Sequence, residues 1–181
     1  MTERDKMLAG EPYDPFDPDL LAGRKRAQET VIAFNAEPDE ERRLAMLRGL
    51  LGSFGERSLI VPPFFCDYGT HLRLGVDAFV NTNSVFLDCA EITVGDHARI
   101  GPGVQVLAAD HPREPELREA DVELAFPVRI GARCWIGAGA IICPGVTIGE
   151  HSIIGAGSVV TRDIPARVMA AGTPARVIRE L

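Results

Sequence analysis

The stretch IGARCWIGAGAIICPGVTIGEHSIIGAGSVVTRDIP, residues 130–165, divides into six consecutive units of six residues. The first position of each unit is Ile or Val, the fifth is mostly small or slim, and the second is Gly in four units. A strand has a period of two and a helix one of 3.6, so neither alone produces a period of six. A chain that turns a corner after each short strand does, and such units bury their aliphatic residues only by stacking. The pattern therefore predicts a parallel β-helix, in which Gly would supply the backbone freedom of the turns.

The same rhythm begins earlier in the chain, at about residue 74. The units LGVDAF, VNTNSV and FLDCAE are followed by Ile92 and Thr93, an apparent two-residue insertion, and then by VGDHAR, IGPGVQ and VLAADH. Twelve units are predicted in all, and their aliphatic first positions form the expected core.

Residues 1–57 have the 3.6-residue spacing of amphipathic helices instead. Capping residues mark three predicted helices: Thr2 with Asp5 before a stop at Gly10, then Asp17 or Asp19, then Pro38. The third helix would bury an apolar face of Leu44, Leu47, Leu50, Leu51 and Phe54.

We therefore predict a mainly β protein with two parts, an N-terminal helical segment over residues 1–57 and a β-helix domain over residues 58–181. The hexad register breaks between Val106 and Val128, which predicts a protruding loop at residues 108–127. A C-terminal tail follows the last unit. Loops on rigid scaffolds tend to carry function, so the loop is the first place to look for a site.

Composition narrows the function. The chain has 181 residues, a formal charge of −7 and 46% apolar residues. The negative charge argues against nucleic acid as a partner. No apolar stretch is long enough to span a membrane, and MTERDKML lacks a signal core, so we expect a cytoplasmic protein. The four cysteines form no CxxC pair and are expected to be reduced thiols.

His111 is the candidate general base, because it opens the protruding loop within the sequence Asp110-His111-Pro112. Pro112 favours an extended conformation for His111, and Asp110 or a backbone carbonyl could fix the ring tautomer. The other histidines fit structural positions, since His97 and His151 occupy turn positions of their units and His71 precedes the repeats. A metal site would need three converging ligands, so we expect none.

Several segments together resemble the hexapeptide-repeat sugar O-acetyltransferases, the maltose, galactoside and nodulation-factor enzymes. They are MLAGEPYD, PPFFCDYG, NTNSVFLDCA, the His-Pro loop, FPVRIGARCWIGAGAIICPGVTIG and GAGSVVTRDIPARVMAAGTPARVIREL. The resemblance covers almost the whole chain. It implies a left-handed coil and a homotrimer, with acetyl-CoA as co-substrate and a sugar acceptor bound between neighbouring subunits. No metal is required in such an enzyme.

The resemblance also implies roles for individual residues, with His111 as the catalytic base. The acceptor side would consist of Asp67, Asn81, Asp88 and one of the acids Asp14 and Asp17. Galactoside enzymes have two adjacent acids at this position. This chain instead has Asp88-Cys89, like maltose-type relatives, so the second acid is missing. The coenzyme side would consist of Trp135, Ala138, Ala156, Thr161, Arg162, Arg176 and Arg179. For Trp135 an alternative role is outward packing at a subunit interface. Arg162 replaces a Lys of the family pattern, which keeps the charge and changes the geometry.

The expected reaction is direct transfer in a ternary complex, with neutral His111 taking the proton of the attacking hydroxyl. A covalent acetyl-cysteine route is disfavoured, because neither Cys134 nor Cys143 has an evident base partner. Three alternatives use the same scaffold: an acetyltransferase for an amino acid, antibiotic or amino sugar, a zinc hydratase, and a non-catalytic ice-binding β-helix. The last would need regular threonine arrays, which the units lack.

Overall fold

The computed structural model describes the whole chain, residues 1–181, and consists of a β-helix preceded by helices. The N-terminal helices are α1 (Glu3–Ala9), α2 (Pro18–Ala36) and α3 (Glu40–Leu50). α3 ends before the predicted apolar face does, because Leu51 already has extended backbone angles. Phe54, which we assigned to that face, lies in the first strand instead, so the coils begin where the sequence still predicted a helix.

The predicted starts of α1 and α2 are confirmed, whereas Pro38 is not in the first turn of α3: the helix begins at Glu40, and Asp39 caps it by accepting from the amide of Arg42. Thr2 and Asp5 form a capping box in which each side chain accepts from the other's backbone N–H, and Gly10 ends α1 in the left-handed region. Asp17 caps α2, since its carboxylate accepts from the amides of Asp19 and Leu20. None of the helices combines the length and the apolar character needed to traverse a lipid bilayer.

Most strands belong to three sheets that form the faces of a prism. The first face contains β1 (Ser53–Phe54), β4 (Leu72–Leu74), β7 (Ile92–Val94), β12 (Val128–Ile130) and β15 (Thr147–Ile148). The second contains β2 (Leu59–Ile60), β5 (Phe79–Val80), β8 (Arg99–Ile100), β13 (Trp135–Ile136), β16 (Ile153–Ile154), β18 (Val168–Gly172) and β19 (Ala175–Glu180). The third contains β3 (Phe64–Cys66), β6 (Ser84–Leu87), β9 (Gln105–Leu107), β14 (Ile141–Ile142) and β17 (Val159–Val160). The chain passes from face to face in turn, and the strands of each face are parallel except for the final pair, β18 and β19.

The core is the column of aliphatic residues that the hexads predicted. All twelve first-position residues are buried, none more than 2% exposed: Leu74, Val80, Phe86, Val94, Ile100, Val106, Ile130, Ile136, Ile142, Ile148, Ile154 and Val160. Equivalent residues stack in register, as Ile130 does between Val94 and Ile148. Burying each such side chain contributes roughly 1.5–3 kcal/mol, so the column supplies much of the driving force for coiling.

The second-position glycines serve close packing, which corrects the expectation that they supply turn flexibility. None of Gly131, Gly137, Gly149 and Gly155 has a positive φ. A Cβ on Gly137 would instead lie 2.5 Å from the backbone nitrogen of Ala156 in the next coil. Glycine is therefore required here because successive coils approach backbone to backbone.

The three edges of the prism differ in width. The edge between the third and first faces, hereafter the wide edge, contains residues 67–71, 88–91 and 108–127. At this edge, each of the first two corners is two residues longer than the corner of a regular six-residue unit. The predicted insertion at residues 92–93 accounts for the extra length of the second corner. The third corner is the protruding loop. It consists of an antiparallel hairpin, β10 (Ala109–Asp110) with β11 (Leu124–Ala125), and a short helix α4 (Pro115–Glu119).

The two ends of the β-helix are closed differently. At the first coil, Asn35 of α2 donates from its side-chain amide to the carbonyl of Phe64 and accepts from the N–H of Phe64, both at 2.9 Å. One side chain thus takes the place of a strand beside β3. At the other end, β19 folds back on β18 as an antiparallel hairpin.

Candidate active site

A polar group of side chains, the wide-edge cluster, lies beside the loop and consists of Tyr13, Asp67, Cys89 and Glu123. The Cys89 thiol donates to Asp67 Oδ2 at 3.5 Å. The Tyr13 hydroxyl donates to Glu123 Oε2 at 2.7 Å. The cluster therefore joins the N-terminal segment, two corners of the coil and the loop in one place.

Burial and charge set the protonation states of this cluster. Burial raises the pKa of Asp67, and the nearby Glu123 carboxylate adds to the rise, while Cys89 and Arg24 oppose it. Burial likewise raises the pKa of the Cys89 thiol, and Asp67 strengthens the effect. A neutral thiol is a poor nucleophile, so Cys89 is suited to donating a hydrogen bond rather than to carrying an acyl group.

Asp88 holds the corner that presents Asp67. Its side chain is fully buried, and its two oxygens accept from the backbone amides of Tyr68 at 2.8 Å and His71 at 3.3 Å. Burial raises the pKa of Asp88 to about 7, against the effect of these amides. The predicted contact between Asp88 and an acceptor is not available to a carboxylate with no exposed surface. His71 is structural as expected, with Nδ1 2.8 Å from the Asp88 carbonyl oxygen.

His111 lies one residue beyond β10 and is exposed, and its ring makes no hydrogen bond within the chain. The suggestion that Asp110 fixes its tautomer is wrong. Asp110 instead accepts from the backbone N–H of His111 at 2.8 Å and pairs with Arg113 through both oxygens. The Asp110 carboxylate therefore shapes the loop backbone and leaves the imidazole free to meet a bound molecule.

The remaining histidines occupy the turn positions that the units predicted. His97 and His151 have φ values of 58° and 60°, the left-handed conformation of a tight turn. His97 Nδ1 lies 2.9 Å from Asp77 Oδ2 on the surface. No group of three or more His, Cys, Asp or Glu side chains is arranged to hold a metal ion.

A second candidate surface follows the edge between the second and third faces, hereafter the narrow edge. Asn81, Trp135 and Ala138 line one groove of about 390 Å³ there, together with Phe79 and Arg99. Trp135 is 57% exposed, so its ring is available at the surface. Ala156 continues this edge one coil further on, where the close approach of Gly137 keeps the surface smooth.

The other predicted residues lie at the two chain ends. Thr161 and Arg162 are exposed at the corner after β17, and Arg176 and Arg179 are exposed on β19 without a carboxylate partner. The two N-terminal acids differ. Asp17 is engaged as the cap of α2, whereas Asp14 is exposed and accepts only from the amide of Phe16.

Within one subunit, the structure divides the predicted site between two edges. His111 and Asp67 belong to the wide edge, whereas Asn81 and Ala138 belong to the narrow edge, and Trp135 lies beside them on β13 of the second face. The third face separates them, and its four-residue strand β6 spans about 13 Å at 3.3 Å per residue. Reacting atoms must approach to about 3–3.5 Å, so one subunit does not bring both groups to a single reaction centre.

Sequence reasoning missed Tyr13 and Glu123, which lie 110 residues apart and have no common motif spacing. It also missed Arg24, which donates to the Tyr68 hydroxyl at 2.7 Å and lies over that ring. A usable signal was the presence of two aromatic residues, Tyr13 and Phe16, in a Pro-rich and acidic stretch, GEPYDPFDPD, although only Tyr13 is buried.

Two family models match the chain, one in each part. The model described as "Maltose acetyltransferase hexapeptide capping motif" matches residues 6–55, and "Bacterial transferase hexapeptide (six repeats)" matches residues 127–162. Among curated proteins, the chain is 48% identical over 178 residues to Nodulation protein L of Rhizobium meliloti (strain 1021), and the alignment covers 97% of each.

Solved structures agree over the whole length. A maltose O-acetyltransferase from Clostridium difficile 630 is 42% identical, with a TM-score of 0.98 and coverage of 100% of this chain and 98% of that one. A hexapeptide-repeat acetyltransferase from Vibrio cholerae, complexed with acetyl coenzyme A, is 40% identical, with a TM-score of 0.94 and coverage of 100% and 99%. The helices, coils and loop described above are therefore features of these proteins as well.

Proposed function

Because this chain belongs to the hexapeptide-repeat sugar acetyltransferase family, we propose that it transfers the acetyl group of acetyl-CoA to a hydroxyl of a sugar or sugar-like acceptor. The observation that carries the proposal is the placement of His111. Its unpartnered imidazole stands at the base of a loop on a rigid scaffold, beside the partly exposed carboxylates of Asp67 and Glu123, which can accept hydrogen bonds from hydroxyls.

In the proposed reaction, neutral His111 accepts the proton of the acceptor hydroxyl while the hydroxyl oxygen attacks the thioester carbonyl. The new C–O bond forms, the C–S bond then breaks, and the leaving thiolate takes a proton from the imidazolium or from water. Such general base assistance contributes typically about 10²–10⁴-fold, and imidazole is suited to it at neutral pH. A covalent acetyl-cysteine route is disfavoured, because the thiols of the chain are neutral and are therefore weak nucleophiles.

The narrow edge is the proposed binding surface for the coenzyme. Ala138 and Ala156 leave a smooth track along the coils for the pantetheine arm, and the exposed Trp135 flanks it. Three exposed arginines are proposed to bind the phosphates of coenzyme A, namely Arg162, Arg176 and Arg179. Thr161 is proposed as a neighbouring hydrogen-bond donor.

The acceptor is proposed to bind Asp67 and Asn81, with the exposed Asp14 favoured over Asp17, whose carboxylate caps α2. Asp67 and Asn81 lie on different edges, so a site that uses both needs two subunits. This division supports a homotrimer in which the wide edge of one subunit faces the narrow edge of the next.

The test compares His111→Asn with His151→Asn, a control at a half-buried turn position away from the loop, where Asn tolerates the left-handed conformation. Release of CoA thiol is measured with maltose, glucose, methyl β-galactoside and glucosamine as acceptors. We expect H111N to lower kcat about 10²–10⁴-fold with the best sugar, and H151N to stay within about twofold. Wild-type turnover by H111N would refute the role of His111, and acetylation of the glucosamine amine alone would refute the sugar hydroxyl as acceptor.

A further inference from the structure

Tyr13 is buried in a stretch that is largely at the surface. It is 1% exposed, and Pro15 is also buried, whereas Glu11, Pro12 and Asp14 are exposed. Tyr13 and Pro15 therefore anchor this segment, and the phenol of Tyr13 lies against the loop. Such burial of a phenol requires a hydrogen-bond partner for its hydroxyl, and Glu123 Oε2 is that partner at 2.7 Å.

The backbone at Tyr13 extends the sheet of the loop. The N–H of Tyr13 donates to the carbonyl of Glu123, and the N–H of Glu123 donates to the carbonyl of Tyr13, both at 3.1 Å. In the hairpin, Leu124 directs its N–H and C=O groups toward its partner Asp110 on β10. Successive residues of a strand direct these groups to alternate sides, so those of Glu123 point away from β10. Tyr13 occupies that side, and β11 becomes the central strand of a three-stranded unit.

His111 lies on the other edge of this unit. The hairpin register places Ala109 opposite Ala125 and Asp110 opposite Leu124, so the next position on β10's side is His111 and on β11's side is Glu123. Beyond His111 the loop buries only Pro112 before it reaches Ala125, and α4 buries none of its residues. A loop of this kind opens easily unless specific contacts hold its base.

We propose that Tyr13 is a positioning residue, which clamps the strand containing Glu123 and thereby fixes the place of His111 above the wide-edge cluster. The proposal rests on the proposed function for the role of His111, but not for the clamp itself. Removing the Tyr13 hydroxyl takes away the hydrogen-bond donor of the partly buried Glu123 carboxylate. Losing such a bond shifts the equilibrium between the closed and the open loop about tenfold, or more.

The experiment compares Tyr13→Phe with Ser58→Ala. Ser58 is a matched control because its buried hydroxyl also makes short hydrogen bonds, to Gly75 O and from Ala78 N–H, but lies in the first coil away from the loop. We expect Y13F to accelerate amide hydrogen exchange in residues 109–125 about tenfold and to lower kcat about tenfold, with the KM for acetyl-CoA within about twofold. S58A should change neither, whatever its loss of thermal stability.

The outcomes separate the clamp from the proposed function. Unchanged loop exchange in Y13F overturns the clamp, and so does wild-type kcat in Y13F when H111N is inactive. An active H111N refutes the proposed function instead, and faster loop exchange in Y13F alone would then still support the clamp. A variant Glu123→Gln, which retains an acceptor for the phenol, should lose less exchange protection than Y13F, and an equal or larger loss counts against the Tyr13 hydroxyl as the anchor.

Discussion

Mixed oligomers of two variants, each damaged at a different edge, reveal whether a site draws residues from two subunits. His111→Asn damages the wide edge and Asn81→Ala damages the narrow edge. In the proposed homotrimer, an assembly that contains both chains has a working site only where an intact wide edge meets an intact narrow edge. Each mixed trimer has one such boundary among its three, so we expect about a third of the wild-type turnover per site.

The measurement needs trimers that contain both chains. Co-expression with two different affinity tags and purification through both tags isolates them, and release of CoA thiol with the best sugar gives the turnover. The matched control combines H111N with Asp67→Ala, because both changes damage the same edge and no boundary in that trimer is intact. Recovery in the same-edge mixture, or none in the H111N and N81A mixture, would contradict the division of the site described above.

Three further predictions concern stability and are measured by urea denaturation. Asn35→Ala should lower the free energy of unfolding by about 2 kcal/mol through the loss of two hydrogen bonds to Phe64, whereas the exposed Gln28→Ala on the same helix should change it little. Ile136→Ala should cost about 2–5 kcal/mol by opening a cavity in the fully buried column, and a loss below 1 kcal/mol would deny that the column is tightly packed. Asp88 binds a proton more tightly in the folded state, so its contribution to the free energy of unfolding is complete below about pH 4 and is lost by about pH 7. Asp88→Asn should remove this part of the pH dependence, about 4 kcal/mol. An identical dependence of the unfolding free energy on pH in the variant would refute the raised pKa.

The coils could be predicted from sequence because their cause is periodic. Each unit buries one apolar side chain and turns one corner. The buried residues, such as Ile130 and Ile148, therefore recur at a fixed position in the six-residue unit. The first coil was not predicted, because its hexads are irregular and its strand residue Phe54 continues the apolar spacing of α3. Local pattern alone does not distinguish the last turn of a helix from a two-residue strand.

The candidate site was only partly accessible from sequence for a different reason. The interrupted register located the loop and His111, because a break in a strict repeat is itself a signal. Contacts such as Tyr13 with Glu123 depend on how separate parts of the chain meet, and no spacing encodes them. The role of Asp88 was misjudged because sequence does not show which way a corner carboxylate turns.

The amide of Asn35 also closes one face of this molecule. A stack of parallel coils has no inherent length, and its terminal strands offer free N–H and C=O groups on which another chain could continue the ladder toward a filament. By satisfying both groups of Phe64 with one side chain, the helical segment ends the third face without adding a strand. A longer third face would therefore need its extra strands inserted behind this closure, since Asn35 occupies the position at which a further strand would pair.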